Sequence, residues 1–182
     1  TPVLFCLGYH AWWIAPYTRW FPWEVMPADT ADARRKVRIM TANVLMSNRD
    51  AEALIEIVRE EAPDIWVTLE TNEWWQSRLD RLESEYAYTL KCPLDNLYGM
   101  HVYSRFPLEE SEIKYLVEPD VPSMHTRLRL PSGDRVRMHF LHPAPPSPTE
   151  NEASSERDAE LIVVAQSVAE TDALVIVTGD LN

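Results

Sequence analysis

Polar side chains follow several predicted strands of this chain, and their types suit chemistry on phosphate. The last eight residues, VIVTGDLN, read as a buried strand that delivers Asp180 and Asn182 at its end. Asn43, Glu70 and His142 likewise end the segments VRIMTAN, DIWVTLE and RVRMHFLH. A hard cation such as Mg²⁺ takes one or two carboxylates and fills its shell with water and substrate phosphate oxygens. Glu70 and Asp180 have the type and number that such a site needs.

Each of these residues has an ordinary structural interpretation when it is taken alone. Asparagine after a strand is usually a turn residue, and a Gly-Asp pair is common in turns. His142 stands before a proline and could belong only to a loop. The functional interpretation therefore depends on the order in which these residues follow successive strands.

Alternating strand and helix patterns must position these residues. Helices are predicted in SNRDAEALIEIVREEAPD, capped by Ser47 or Asn48, in NEWWQSRLDRLESEY, and in SSERDAELIVVAQSVAE with capping-box spacing of Ser155 and Asp158. YAYTLK and GMHVYS read as further strands. MHTRLRL and RVRMHFLH alternate apolar and polar residues around PSGD, which predicts a hairpin. An antiparallel hairpin beside α/β units predicts two sheets packed face to face, with helices outside.

Composition excludes several classes of protein. The chain has 182 residues, and its formal charge of −12 gives no general attraction to nucleic acid. It has only four glycines and no glycine-rich phosphate loop, so a dinucleotide-binding fold is not expected. Cys6 and Cys92 are predicted to be separate thiols, and no activated serine or cysteine indicates covalent catalysis.

Residues 1–36 differ from the rest, and we treat them as a membrane-proximal aromatic and proline-rich segment with a linker. The uncharged run 2–16 is shorter than the roughly 20 residues of a membrane span, but it could end a longer one. Trp12, Trp13 and Trp20 would then lie at the lipid headgroups. The alternative is an aromatic arm packed on a soluble domain. The chain starts with Thr1 and stops after a strand, so we expect a fragment at both ends.

The order TANV, PDIWVTLE, YGMHVYSRFPL, HFLHPAPP and VIVTGDLN resembles the endonuclease/exonuclease/phosphatase (DNase I-like) superfamily over residues 37–182. The closest similarity is to a bacterial branch that places a membrane-spanning segment ahead of the catalytic domain. The resemblance implies an α/β (α+β) fold, a four-layer αββα sandwich of two mixed sheets. It also implies a location at the bacterial cell envelope, on a side of the membrane that stays open.

The resemblance also implies roles for the residues singled out above. Glu70 and Asn43 would bind Mg²⁺ or Mn²⁺, and Asn43 would also orient ligands and phosphate. His142 would contact the scissile phosphate. Asp180 would position the nucleophilic water, and Asn182 would stabilise the transition state. Tyr98 touches substrate or serves packing, and both remain open.

Two departures from the family pattern are visible. Leu69 stands where the family usually has Gln before the metal-binding Glu, which leaves the carboxylate in place. The Asp-His pair that closes the family's catalytic set is missing, so residues 1–182 alone are expected to be inactive.

The intact protein is therefore expected to hydrolyse a phosphodiester or phosphomonoester by in-line attack of water. The alternative is a non-catalytic, membrane-associated binding domain with the same fold. The substrate, nucleic acid or phospholipid and inositol phosphate, is undecided. The hairpin arginines form either a phosphate-facing patch or a solvated face; they are Arg127, Arg129, Arg135 and Arg137.

Overall fold

The computed structural model describes residues 2–22, 32–145 and 155–182. The chain forms two compact units, Thr1–Ala31 and Asp32–Asn182. The expected loop at 146–154 lies outside the described residues.

The N-terminal unit consists of helix α1 (Pro2–Ile14) and a 3₁₀ turn, Ala15–Tyr17. The helix buries none of its side chains, and Phe5 and Trp12 are 79% and 76% exposed. In the described part of the chain, no helix combines the length and apolar character needed to cross a membrane.

The first sheet of the C-terminal unit has four strands, of which the first two are parallel and the others antiparallel. In spatial order they are β1, β2, β4 and β3. Two helices, α2 and α3, lie between its strands in the chain and bury one apolar face each. The bounds are β1 Ile39–Asn43, α2 Ala51–Glu61, β2 Ile65–Leu69, α3 Glu73–Leu79, β3 Tyr88–Cys92 and β4 Met100–Ser104.

The second sheet also has four described strands, in the order β5, β6, β7 and β8. The predicted hairpin is β6–β7, and β8 pairs parallel to β7 through the crossover helix α4. The bounds are β5 Leu108–Lys114, β6 Ser123–Arg129, β7 Arg135–Leu141, α4 Ser155–Ala169 and β8 Leu174–Gly179.

The two sheets pack face to face and share one apolar core. Val67 and Val102 of the first sheet belong to the same buried cluster as Met124 and Phe140 of the second. On the other face of the first sheet, Trp66 packs in a second cluster with α2 and α3. Side chains of α4 line a cavity with the outward residues of β6 and β7. This arrangement confirms the two-sheet sandwich with flanking helices.

Several local details differ from the prediction. Asp50, not Ser47 or Asn48, caps α2 by accepting the N–H of Ala53 at 3.1 Å. Strand β5 was not predicted, because its sequence LEESEIK is acidic and a register shift interrupts it between Glu109 and Glu112. Strand β8 was expected to be buried and is partly exposed, because among the described strands only β7 pairs with it.

Candidate functional site

The side-chain amide of Asn43 joins two carboxylates that are distant in sequence. Its Nδ2 donates to Glu70 Oε1 at 2.7 Å and to Asp180 Oδ2 at 3.2 Å. The two carboxylate oxygens can therefore be no farther apart than the sum of those distances. The structure thus brings together, at one rim of the sandwich, three residues that follow or end three different strands.

Parallel pairing of β1 and β2 sets the first half of this arrangement. Asn43 lies opposite Leu69 in the register, and the N–H of Val44 donates to the Leu69 carbonyl at 3.2 Å. Glu70 follows directly in the left-handed conformation, with φ of 61°. This conformation is uncommon for a residue with a Cβ, and it turns the chain sharply at the end of a fully buried strand.

Gly179 and Asp180 set the second half. Gly179 has φ of 146°, and a Cβ there would lie 1.9 Å from the carbonyl oxygen of Leu141. The next N–H, of Asp180, donates to that same oxygen at 3.2 Å. A side chain at position 179 would push β8 away from β7, so glycine is required for Asp180 to reach the rim.

Asn182 and His142 lie beside this carboxylate. The Asn182 N–H donates to Asp180 Oδ1 at 3.2 Å, and its Nδ2 donates to the Pro143 carbonyl at 2.8 Å. His142 directly follows β7, is 4% exposed, and packs with a ring-centroid distance of 5.5 Å against Tyr98. The chain around His142 is thus held to the loop that carries Asp180 and Asn182.

Sequence reasoning missed two supports of the rim, a contact between two threonines and the glycine at position 99. The hydroxyl oxygens of Thr41 and Thr178 lie 2.8 Å apart and join the edge strands β1 and β8 of the two sheets. Gly99 allows the turn before β4 to approach the carbonyl of Thr71, where an added Cβ would lie at 1.7 Å. The only available signal was the scarcity of glycine, since Gly99 and Gly179 are two of just four.

Arg157 of α4 is a further residue that the sequence did not single out. Its guanidinium donates to the Asn182 carbonyl at 2.8 Å and also pairs with Asp158 at 2.9 Å. The first turn of α4 is thereby linked to the loop after β8. This places one positive charge next to the predicted catalytic residues.

The hairpin arginines do not lie at the candidate site. Arg129 and Arg135 pair at the turn end of β6–β7, whereas His142 follows the opposite end of β7. Arg127 pairs with Glu110 at 2.9 Å, and Arg135 pairs with Glu109 at 2.7 Å. Cross-strand ion pairs on a solvated face account for these two arginines.

The residues at the rim fit a divalent cation in part. Glu70 Oε2 is a buried carboxylate oxygen with no hydrogen-bond partner, which is costly unless a cation lies beside it. Residues 2–22, 32–145 and 155–182 contain no group of three or more His, Cys, Asp or Glu placed to hold a metal. Mg²⁺ needs only one or two protein carboxylates, so Glu70 and the neighbouring Asp180 meet that requirement.

Asn43 presents its nitrogen to both carboxylates, while its Oδ1 accepts the N–H of Leu45 at 3.2 Å. The prediction that Asn43 binds a metal ion through its amide oxygen therefore requires the side-chain amide to flip by about 180°. Its role as a metal ligand stays a prediction, and its hydrogen bonds to the carboxylates are what the structure shows.

Buried titratable side chains elsewhere in the sandwich have pKa values shifted from their usual range. Burial and, to a smaller extent, the adjacent His139 lower the pKa of His125 from 6.5 to about 4. The Nδ1 atoms of these two rings lie 2.6 Å apart, so one ring must be neutral at Nδ1 to accept the hydrogen bond that the other donates. Burial also raises the pKa of Glu160 on α4 to about 7, with Glu118 contributing.

Comparison with solved structures supports the fold. The crystal structure of D. rerio TDP2 complexed with single strand DNA product aligns with TM-score 0.67 and 22% identity over 80% of this chain and 60% of that chain. The human Nocturnin catalytic domain with bound sulfate aligns with TM-score 0.61 and 18% identity, over 80% and 64%. A mannosyl-6-phosphatase of Bacteroides thetaiotaomicron aligns with TM-score 0.56 and 16% identity, over 81% and 66%.

These identities are low enough that the likeness concerns the fold alone, and the chain spans about three fifths of the length of the D. rerio structure. No curated protein matches the chain. The family model described as Endonuclease/Exonuclease/phosphatase family matches residues 40–182, which include every strand but the first residue of β1. The chain therefore belongs to the endonuclease/exonuclease/phosphatase family.

Proposed function

We propose that the protein is a phosphoesterase that depends on a divalent metal ion, Mg²⁺ or Mn²⁺. The observation that carries the proposal is the bridge from Asn43 Nδ2 to the carboxylates of Glu70 and Asp180. Two carboxylates held this close repel each other unless a donor or a cation lies between them. A rim that concentrates negative charge in this way suits a cation and a substrate that supplies oxygen ligands.

Glu70 and Asp180 take different roles in this proposal. Glu70, with its unpartnered Oε2, holds the metal, which polarises a phosphoryl oxygen and offsets negative charge. Asp180 orients a water molecule and accepts its proton during in-line attack on phosphorus. The hydrogen bond from the Asn182 N–H fixes one oxygen of Asp180 for this task.

Asn43, Asn182 and His142 complete the proposed site as hydrogen-bond donors. Asn182 and His142 would donate to phosphoryl oxygens that gain negative charge in the transition state. Asn43 uses its two amide hydrogens on Glu70 and Asp180, so it would have to release one of them to donate in the same way. His142 is packed on Tyr98, so its imidazole has little freedom to leave that position. The Asp-His pair that the resemblance implies stays a prediction.

Phosphate esters are the proposed substrates, as nucleic acid or as phospholipid and inositol phosphate. Two structural neighbours support this range of substrates, since one is complexed with a single strand DNA product and the other is a mannosyl-6-phosphatase. The charge of −12 favours a substrate that is not a long polyanion.

The N-terminal unit is proposed to hold the protein at the membrane of the bacterial cell envelope. Helix α1 contains no Asp, Glu, Lys or Arg and leaves Val3, Phe5 and Trp12 exposed. Such a surface is stable in lipid, where tryptophan favours the headgroup region. Flotation of the protein with liposomes tests this, and a protein that stays in the dense fraction contradicts it.

The decisive experiment is hydrolysis by the full-length protein with Mg²⁺ or Mn²⁺, compared with EDTA. The panel contains nucleic acid, phosphoinositide and sphingomyelin, and Asp180→Ala is assayed beside the natural sequence. We expect metal-dependent turnover that Asp180→Ala reduces by about 10²-fold or more. Activity that survives the substitution contradicts the role of Asp180, and absence of all turnover favours the non-catalytic binding domain.

A further inference from the structure

An open cavity of about 570 Å³ adjoins the candidate site, and we refer to it as the rim pocket. Met46 lies three residues after Asn43, and Ala144 lies two residues after His142. The residues that line the rim pocket are Met46, Asp95, Asn96, Leu97, Tyr98, Glu118 and Ala144.

Hydrogen bonds tie the walls of the rim pocket to the strand ends of the site. Asn72, two residues after Glu70, donates from Nδ2 to Asp95 Oδ1 at 2.9 Å. Asn96 accepts the N–H of Tyr98 at 3.1 Å, and the Tyr98 ring packs on His142. The walls of the rim pocket are therefore held next to the segments that carry Glu70 and His142.

The rim pocket is lined by apolar side chains together with negatively charged ones. Met46, Leu97 and Ala144 supply aliphatic surface, and Tyr98 supplies an aromatic ring that can face a cation. Asp95 and Glu118 supply two carboxylates. None of the described residues that line the pocket is Lys, Arg or His.

Backbone strain at the pocket also indicates a ligand surface. Leu97 is 38% exposed with φ of 72°, and Leu45, next to Met46, is 56% exposed with φ of 55°. For an apolar side chain, the left-handed backbone conformation and the exposure to solvent both cost free energy. Such outliers persist mainly where they serve binding.

Resting on the proposed function, we propose that the rim pocket binds the group esterified to the scissile phosphate and selects it by charge. It takes a partly apolar group that carries a positive charge in preference to a neutral one, and a neutral one in preference to a negative one. A second phosphate or a carboxylate on that group would face Asp95 and Glu118 with no basic partner among the described lining residues. Asp95 and Glu118 are thus specificity-determining residues.

The test uses the full-length protein with Mg²⁺ and p-nitrophenyl phosphodiesters that share one leaving group. The second ester group is choline, ethyl or thymidine 3′-phosphate, which carry positive, neutral and negative charge. We expect kcat/KM to fall in that order, by at least about tenfold from choline to the anionic ester. An anionic ester hydrolysed as well as the ethyl ester overturns the proposal.

Asp95→Asn keeps an oxygen that can accept from Asn72 and removes one charge. It is expected to raise kcat/KM for the anionic ester and lower it for the choline ester, with the ethyl ester changed by less than about twofold. Asp172→Asn, an exposed aspartate outside the lining, serves as the control and should leave all three rates unchanged. An equal change in all three rates with Asp95→Asn contradicts selection by charge.

Failure of the enzyme proposal is distinguishable from failure of this one. If no ester is hydrolysed, the proposed function is wrong and the pocket is judged by calorimetric binding alone. Phosphocholine must then bind more tightly than phosphoglycolate, and Asp95→Asn must reduce that difference. Equal or reversed affinities overturn the charge selection.

Discussion

Two replacements of Asn43 test whether it bridges Glu70 and Asp180. Alanine removes the bridging amide, whereas aspartate turns the bridge into a repulsive cluster of three carboxylates. Asn43→Ala removes two hydrogen bonds to charged acceptors, at 2.7 and 3.2 Å, and leaves Glu70 and Asp180 facing each other. Hydrogen bonds to charged groups each contribute about 1.5–3 kcal/mol, and these are exposed, so the lower end applies. We expect Asn43→Ala to lower the free energy of unfolding by about 3 kcal/mol in EDTA.

Asn43→Asp adds charge repulsion to that loss. Two unit charges about 4 Å apart interact by roughly 1 kcal/mol in water and roughly 4 kcal/mol at an effective dielectric constant of 20. The rim is partly exposed, so Asn43→Asp should be less stable than Asn43→Ala by about 1–3 kcal/mol in EDTA. A divalent cation between the carboxylates offsets that repulsion, so millimolar Mg²⁺ should remove most of the difference.

Urea unfolding followed by tryptophan fluorescence, with EDTA and with Mg²⁺, measures both effects. Asn48→Asp is the matched control, because Asn48 Oδ1 accepts the N–H of Asp50 and aspartate can do the same. If Asn43→Asp is as stable as Asn43→Ala in EDTA, the carboxylates are not close in solution. If Mg²⁺ leaves the difference unchanged, no cation binds between them.

Three further substitutions test the supports of the rim and the protonation of the core. Gly99→Ala would place a Cβ 1.7 Å from the Thr71 carbonyl, so we expect a loss of about 1–3 kcal/mol in urea unfolding together with lower activity. Thr178→Val removes the hydroxyl contact with Thr41 and should cost about 1 kcal/mol, and an unchanged midpoint contradicts the contact. Burial, helped by Lys91, lowers the pKa of His101 from 6.5 to about 4, so its neutral form is favoured in the folded state. The stabilisation that His101 provides is therefore complete above pH 6.5, and it falls by about 3 kcal/mol as the pH drops to 4. In unfolding experiments at several pH values, His101→Leu should reduce this loss of stability.

Element type was predictable wherever burial gave a regular pattern. Strand β2, IWVTL, is fully buried and was visible as an apolar run, and the alternation of β6 placed Met124 and Leu128 in the core. Strand β5 gave no such signal, because only its few apolar residues, such as Ile113, pack against the core while glutamates occupy the exposed positions. Pairing with β6, a non-local contact, makes that segment a strand.

The identity of the site residues was predictable, but their mutual geometry was not. That Asn43, Glu70 and Asp180 end strands can be read from local sequence. That one amide nitrogen reaches both carboxylates depends on the register of β1 with β2 and on packing between the sheets. Such placement arises from contacts over 137 residues of separation, which no local pattern contains.

Backbone conformation at the rim links stability to the proposed chemistry. Among the residues that the structure describes, six non-glycine residues have positive φ, and four of them lie at the site or beside the rim pocket: Leu45, Glu70, Leu97 and Asn182. The other two have local structural causes, since Ala62 caps α2 and Glu110 lies at the register shift of β5. Strain of about 1–3 kcal/mol per residue persists only where the surrounding structure over-determines it. Here the fully buried strand β2 and the close contacts of Gly99 and Gly179 supply that constraint, because each fixes the backbone beside a strained residue. Glu70→Gly would therefore relieve the backbone strain but remove the carboxylate that the proposed chemistry needs. Stability and function are thus opposed at this position.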